Sequence, residues 1–283
     1  MRTLISVLLF CAAPLSAAPV VVASIPPVAG VAAGLMEGVG TPVTLLPPGA
    51  EPHEFALRPS HLTALGEADL VLVVGLEMEP WLDRIKKTSS TLPLFELGPL
   101  NTAPLPARSF GDLDRAAQDP HMWTDPNLVR LWAEAIAAQL TEQDPENADI
   151  YHQNLASFIG QINEAETSLH TLGARLQDAG IQLVVTHDAF QYLEAALGLQ
   201  NAGMLTDAYE QRAGARTLAA LHRVEGPVCI IEVPEIIAPD GLLPDAPRVM
   251  IDPMGADYAG ETDFTLRFFQ SVETALEGCF QQP

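Results

Sequence analysis

Short runs of apolar, often β-branched residues alternate along the chain with longer amphipathic stretches. The first series of runs predicts buried parallel strands at Val20–Ser24, Val43–Leu46 and Leu70–Val74. Helices are predicted between them at Pro26–Met36 and Pro59–Gly66. A second series predicts strands at Ile181–Thr186, Val228–Glu232 and Arg248–Asp252. This alternation is typical of an α/β fold with parallel sheets.

A long helical pattern separates the two series. It follows Asp144-Pro145-Glu146, in which an N-cap aspartate and a first-turn proline signal a helix start. Apolar residues then recur at steps of three and four over about 30 residues, roughly 45 Å of helix. These positions are Tyr151, Leu155, Phe158, Ile162, Ala165, Leu169, Leu172 and Leu176. A coiled-coil arm is one interpretation, but the two flanking α/β halves favour a helix that links two lobes.

The first 18 residues have the pattern of a secretory signal peptide. Arg2 supplies the positive start, Leu4–Ala13 the apolar run, and Pro14–Ala18 the small-residue exit. Prolines interrupt the run, which is shorter than the ~20 residues that a membrane span requires. Cys11 follows Leu9 and Phe10 rather than small residues, which disfavours a lipid anchor. The pattern predicts export and cleavage after Ala17 or Ala18.

These patterns together divide the chain into four parts. We predict a signal peptide at 1–18, an N-terminal α/β lobe at 19–142, a linking helix at 143–177 and a C-terminal α/β lobe at 178–283.

The charge composition of the chain argues against some classes of binding partner. The chain has 14 Lys and Arg against 36 Asp and Glu, a formal charge of −22. Phosphate contacts require basic residues, so this balance argues against nucleic acid and against an anionic membrane surface. A strongly negative field favours solubility and the attraction of cations instead.

Removal of the signal leaves two cysteines, Cys229 and Cys279. In an oxidising compartment an isolated pair most simply forms one disulfide. A pair of inert buried thiols is the alternative. Neither cysteine has a CxxC or Cys-His neighbour, so they are not interpreted as metal ligands.

Three histidines and one aspartate carry the candidate chemistry. His53, His121 and His187 each stand where a strand or helix gives way to a loop, and Asp252 ends a predicted strand. Ligands of open α/β sheets bind beyond the carboxyl ends of strands. Three imidazoles and one carboxylate suit a four-coordinate Zn²⁺. The four residues match no local zinc motif, so spacing alone leaves a turn residue as the alternative for each.

Five segments, in this order, resemble the metal-binding solute-binding proteins of ABC importers, most closely the zinc-uptake (ZnuA-type) branch. The segments are Pro52-His53…Leu57-Arg58-Pro59-Ser60, Ala68-Asp69-Leu70-Val71…Gly75-Leu76-Glu77-Met78-Glu79, His121-Met122-Trp123…Asp125-Pro126, His187-Asp188-Ala189-Phe190…Tyr192 and Asp252-Pro253-Met254-Gly255. The resemblance implies two α/β lobes joined by one rigid helix, with a metal clamped in the cleft between them.

Carried over residue by residue, the resemblance makes His53 and His121 the ligands of the first lobe and His187 and Asp252 those of the second. Manganese-type relatives have a carboxylate where this chain has His187, and an imidazole shifts preference toward Zn²⁺. Zinc-type relatives also tend to have cysteines placed like Cys229 and Cys279, which supports the disulfide. Zinc-type relatives often have a His- and acid-rich loop before the segment that contains His121. This chain departs from that pattern, since residues 100–119 contain no histidine.

The expected function is that of a periplasmic, non-enzymatic receptor that captures Zn²⁺ and delivers it to an ABC permease in the inner membrane. We expect a monomer, and a metallochaperone is considered as a further partner. A Mn²⁺ or Fe²⁺ receptor on the same scaffold is the alternative. A zinc hydrolase is a weaker one, because catalytic zinc keeps a position open for water and Asp252 would fill it.

Overall fold

A computed structural model of the chain describes residues 17–53, 55–89, 91–113 and 117–281. Almost all of the predicted signal peptide lies outside these residues. Within them the strands are β1 Val21–Ala23, β2 Val43–Thr44, β3 Leu70–Val73, β4 Leu94–Glu96, β5 Gln182–Val185, β6 Asn201–Met204, β7 Val228–Glu232 and β8 Arg248–Met250. The helices are α1 Pro26–Leu35, α2 Pro59–Glu67, α3 Leu82–Thr88, α4 Pro126–Gln143, α5 Ala148–Asp178, α6 Gln191–Leu197, α7 Ala215–Leu221 and α8 Phe264–Glu277.

The strands form two four-stranded sheets in which every pairing is parallel. The strand order is β2-β1-β3-β4 in the first lobe and β6-β5-β7-β8 in the second, so both sheets have the same topology. The central strands β1, β3, β5 and β7 are almost entirely buried because helices cover both of their faces. The predicted α/β fold with two lobes is confirmed.

Strands β4 and β6 are absent from the sequence prediction. The segment Asn201–Met204 has the sequence NAGM, without the β-branched residues that mark a strand. Strand β4 has three half-buried residues between Pro93 and Gly98, too short a run to stand out. Both are edge strands, where pairing with a buried neighbour supplies what local propensity does not.

The linking helix α5 is 31 residues long, as the apolar stripe predicts. Seven of the eight stripe residues are buried, and Leu155 is half-buried. The predicted N-cap Asp144 has a different role: one of its carboxylate oxygens accepts hydrogen bonds from Tyr151 Oη at 2.8 Å and Asn147 Nδ2 at 2.7 Å. A 3₁₀ turn at Pro145–Asn147 precedes the helix, so α5 starts one turn later than the signal indicates.

Helix α8 adds a second link between the lobes. It follows the last strand of the second lobe, yet it packs against α1 of the first lobe as well as against α5. A Cβ atom at Gly30 of α1 would lie 2.3 Å from the Phe264 ring of α8, so glycine is what permits this close approach. One continuous apolar core therefore runs through α1, α4, α5 and α8 and through one face of each sheet.

A disulfide joins Cys229 of β7 to Cys279, which follows α8, across 50 residues of chain. It ties the end of the chain to a central strand of the second lobe. Among the described residues, no helix has the length and hydrophobicity to cross a membrane.

Candidate metal centre

Three histidines converge in the cleft between the two lobes. One potential ligand atom from each of His53, His121 and His187 lies within 4.8 Å of those of the other two. The ring centroids are 5.1 Å apart for His121 and His187, 5.5 Å for His53 and His121, and 6.0 Å for His53 and His187. The cavity that they line has a volume of about 20 Å³. That is room for one ion or one water molecule.

His121 is held from behind by a buried carboxylate. It precedes a 3₁₀ turn at Met122–Thr124, and Asp119 Oδ1 accepts both its backbone N–H and its ring Nδ1, each at 2.8 Å. When Asp119 is ionised, this bond fixes the proton on Nδ1 and leaves the lone pair on Nε2 for a metal. Burial lowers the pKa of His121 to about 3. The imidazole is therefore neutral at pH 7, as a metal ligand must be.

His187 stands two residues beyond the end of β5 and is held by a hydroxyl group. Its Nδ1 lies 3.1 Å from Thr206 Oγ1, which donates its own proton to the carbonyl of Thr186. Thr206 therefore accepts from Nδ1–H, and the lone pair of the neutral ring is on Nε2. Burial lowers the pKa of His187 well below 6.5, and the neighbouring His121 and His53 rings add to the shift.

His53 lies on the loop between β2 and α2 and is only half-buried. Its backbone N–H donates to Glu51 Oε1 at 2.8 Å, and its ring lies 5.8 Å from the Tyr209 ring of the second lobe. His53 is thus the most exposed of the three imidazole residues, whereas His121 and His187 are buried.

Acidic side chains line the same cavity. Glu51 from the first lobe and Glu210 and Glu235 from the second contribute to its wall. Burial raises the pKa of Glu51 to about 8, opposed by the hydrogen bond from the His53 amide and reinforced by Glu210 and Glu235. A cation would relieve this repulsion. No motif distinguishes Glu210 and Glu235 in the sequence, and only the folded chain brings them to the cavity.

Asp252, the fourth predicted ligand, is outside the group of converging ligand atoms. Its two carboxylate oxygens accept the backbone N–H groups of Met254 at 2.8 Å and Ala256 at 2.7 Å. The loop that it begins nevertheless reaches the site, because Pro253 and Met254 line the cavity. The Trp123 Nε1 of the first lobe also donates to the Pro253 carbonyl at 2.7 Å.

The four remaining histidines do not line this cavity. The His61 Nδ1 accepts the Arg58 N–H at the start of α2, and His170 lies 3.7 Å from Glu166 on α5. His152 and His222 are exposed. These four are not among the converging ligand atoms of the described residues.

Several known proteins are similar to this chain. The model of a family described as zinc-uptake complex component A, periplasmic, matches residues 21–224. The high-affinity zinc uptake system protein ZnuA of Paracoccus denitrificans is 30% identical over 245 residues, covering 75% of this chain and 74% of that protein. The ZnuA of Yersinia pestis is 28% identical over 298 residues, covering 94% and 92%.

The chain is also similar to a manganese-binding protein and to a solved structure. The manganese-binding lipoprotein MntA of Halalkalibacterium halodurans is 27% identical over 247 residues, covering 84% of this chain and 80% of that protein. A crystal structure of ZnuA superposes with a TM-score of 0.75 at 24% identity, covering 92% of this chain and 99% of that one. At that identity the superposition shows a shared fold.

Proposed function

Because the chain belongs to the zinc-uptake complex component A family, we propose that it captures Zn²⁺ in the periplasm and delivers it to an ABC permease. One observation carries the proposal: three buried or half-buried imidazoles, drawn from both lobes, surround a cavity large enough for a single ion. Imidazole nitrogens are preferred ligands of Zn²⁺. The ion is cargo here, so the protein must both hold it and release it.

We propose His53, His121 and His187 as ligands, with the ion bound by Nε2 of His121 and of His187. Asp252 stays the predicted fourth ligand, on the loop that supplies Pro253 and Met254 to the cavity wall. To reach an ion, its carboxylate would exchange the amides of Met254 and Ala256 for the metal. Three neutral rings and one carboxylate would leave a site charge of +1.

The ligand set makes capture and release depend on the distance between the lobes. Separation of the lobes by the permease would withdraw His187 from His53 and His121 and lower the affinity in one step. The net charge of −22 would raise the encounter rate with cations, and would do so less at high salt.

Manganese or iron is the second candidate cargo. A relative named as manganese-binding supports it, and so do the carboxylates around the cavity, because Mn²⁺ prefers hard oxygen ligands. Three imidazoles favour Zn²⁺ over Mn²⁺ at this site.

A binding protein fits the cavity better than a hydrolase does. The cavity is small, at about 20 Å³, and three imidazoles with Asp252 as fourth ligand would leave no coordination position open for a catalytic water. We further propose that the chain is a monomer that meets its permease at the inner membrane, and that it receives zinc either directly or from a metallochaperone.

Calorimetric titration of the secreted protein with Zn²⁺, Mn²⁺ and Fe²⁺ tests this proposal. We expect one Zn²⁺ per chain with sub-micromolar affinity, and weaker binding of Mn²⁺. His187→Ala should remove that binding, whereas His152→Ala, an exposed histidine on α5, should leave it unchanged. Tight zinc binding that survives His187→Ala would contradict the site.

A further inference from the structure

One stretch of the first lobe lies against the second lobe. We name residues 101–113 and 117–119 the crossing segment; it runs from the end of the first sheet toward His121. The Leu105 N–H donates to Tyr192 Oη at 3.0 Å, and that hydroxyl donates to the Asp119 carbonyl at 3.2 Å. Gln191 of α6 donates to the Pro106 carbonyl at 3.0 Å. Backbone groups of this segment thus take their partners from the opposite lobe.

The contact continues toward α7. The Asp112 carboxylate accepts the backbone N–H groups of Gly214 at 3.1 Å and Thr217 at 3.2 Å. Phe110 packs into the second-lobe core, where a Cβ atom at Gly203 would lie 2.6 Å from its ring. A glycine at that point of β6 therefore makes room for a side chain of the crossing segment.

Arg108 is the charged anchor of this contact. Its guanidinium forms a two-point ion pair with Asp188, including Nε to Oδ2 at 3.2 Å, and a second pair with Glu194 of α6. The arginine side chain is 23% exposed, against 0% for Asp188 and 3% for Glu194. Burial alone would lower the pKa of Arg108, but the two carboxylates raise it above its ordinary value. The carboxylate partners of Arg108 are thus shielded from solvent.

The partners of Arg108 adjoin both buried metal ligands. Asp188 directly follows His187, and Arg108 also acts electrostatically on Asp119, which holds His121. One guanidinium thus acts on carboxylates next to a ligand of each lobe. A planar, permanently charged group with several donors suits this task better than a lysine ammonium would.

We propose that Arg108 is a positioning residue for the metal centre, fastening the crossing segment to the second lobe and so holding the loops of His121 and His187 together. The inference rests on the proposed function in that its readout is metal release. It goes beyond that function because it assigns the distance between the lobes to ion pairs among side chains of this chain. Release would then require the Arg108 pairs to open.

Zinc release to an excess of chelator is the first measurement. Arg108→Met should speed release by roughly tenfold or more, the lower end of the range for residues that orient metal ligands. Arg108→Lys should recover part of the loss, because it restores the charge but not the two-point pair. Arg130→Met is the matched control, since Arg130 pairs with Glu166 on α5 away from the crossing segment. It should release zinc at the wild-type rate.

A second variant separates positioning from folding. Arg108→Met leaves two buried carboxylates without their ion-pair partner, which could destabilise the fold. The combined variant Arg108→Met, Asp188→Asn, Glu194→Gln removes those carboxylates as well, and the crossing segment still lacks its ion pairs to the second lobe. It should fold and still release zinc quickly. A wild-type release rate in this folded variant would overturn the proposal.

Hydrogen exchange of the metal-free protein gives a readout that needs no zinc. In the wild type, peptides spanning 104–113 should be protected, and in Arg108→Met they should exchange faster while β5 and β7 stay protected. Equal protection of the crossing segment in both proteins would contradict the inference. Failure of wild-type zinc binding would refute the proposed function and leave this exchange result to stand separately.

Discussion

The two lobes share one topology but use it differently. In the first lobe the Ser24 N–H donates to the Leu72 carbonyl, and the Ser24 carbonyl accepts from Leu46. In the second lobe Thr186 makes the same two bonds, to Ile231 and from Thr206. By this register, Ile25 beyond β1 and His187 beyond β5 occupy equivalent places. One is an apolar core residue and the other a proposed metal ligand.

The difference lies in what surrounds the equivalent strand ends. In the first lobe α1 starts at Pro26, directly after Ile25, and the Ser24 hydroxyl donates to the buried carboxylate of Glu79 at 2.5 Å. In the second lobe α6 starts only at Gln191, which leaves His187 on a loop at the cleft. The two sheets share a topology, but the residue after β1 is packed in the core whereas the residue after β5 is a proposed metal ligand. The first lobe supplies its histidines from loops beyond its edge strands β2 and β4 instead.

Removal of one buried ligand from each lobe should have the largest effect. Structural zinc sites are worth ~10–16 kcal/mol with about four ligands, so His121→Ala with His187→Ala should weaken zinc binding by roughly 10⁴-fold or more. Chelator competition would measure it. The two single variants should lose similar amounts, because the ion is shared between lobes. A loss confined to one of them would place the ion in a single lobe.

The disulfide should make the second lobe the more fragile under reduction. Loss of a native disulfide costs about 2–5 kcal/mol in small secreted domains, and Cys229→Ala with Cys279→Ala should lower the free energy of unfolding within that range. Denaturant titration would measure the loss, and hydrogen exchange should locate it first in β7 and α8. Equal acceleration of exchange in β1 and β3 would show that both lobes depend on the bond.

The hydrogen-bond partners of the two buried histidines should differ in how much they contribute to zinc affinity. Asp119→Asn removes the carboxyl group that accepts from His121 and should weaken zinc binding by roughly 10-fold to 100-fold, the range for residues that orient metal ligands. Thr206→Val removes a neutral acceptor from His187 and should cost less. Zinc affinities of both variants decide this. A larger loss for Thr206→Val would reverse the order.

The packed strand end of the first lobe should have its own pH signature. Burial raises the pKa of Glu79 from 4.5 to about 7, opposed by hydrogen bonds from Ser24, Gly75 and Val74. Its folded pKa lies above its unfolded value, so the stability that protonated Glu79 contributes is complete below pH 4.5 and declines as the pH rises through 7. Glu79→Gln should flatten that decline by about 2.5 kcal/mol between pH 5 and pH 8.

Thermal unfolding of the two proteins across this range would measure the difference. Parallel stability curves would show that the Glu79 carboxyl does not change its protonation state on unfolding. Zinc affinity should be unaffected, since Glu79 lies beside β1 and does not line the metal cavity.

The periodicity of apolar residues is enough to predict the fold class and the linking helix. It works for the central strands and for α5 because their buried faces are continuous and therefore require apolar residues at regular spacing. It does not find β6, whose NAGM sequence becomes a strand only beside β5. The capping signal misplaces the role of Asp144, whose carboxylate accepts from the Tyr151 and Asn147 side chains rather than from backbone N–H groups of the helix.

The candidate site is predictable in part for similar reasons. The three histidines are singled out by the family resemblance of the segments around them, since their spacing matches no local zinc motif. Glu210, Glu235 and Arg108 have no such local signal, because their role arises from contacts between segments distant in sequence. Asp252 is still a prediction, and its two backbone partners could not be inferred from the motif alone.

A crystal structure of the zinc-loaded protein, with anomalous diffraction recorded on both sides of the zinc absorption edge, would locate the ion itself. We predict one zinc peak in the cleft, within coordinating distance of His53, of His121 Nε2 and of His187 Nε2. A fully occupied peak elsewhere, or three imidazoles around a cavity that stays empty at stoichiometric zinc, would contradict it.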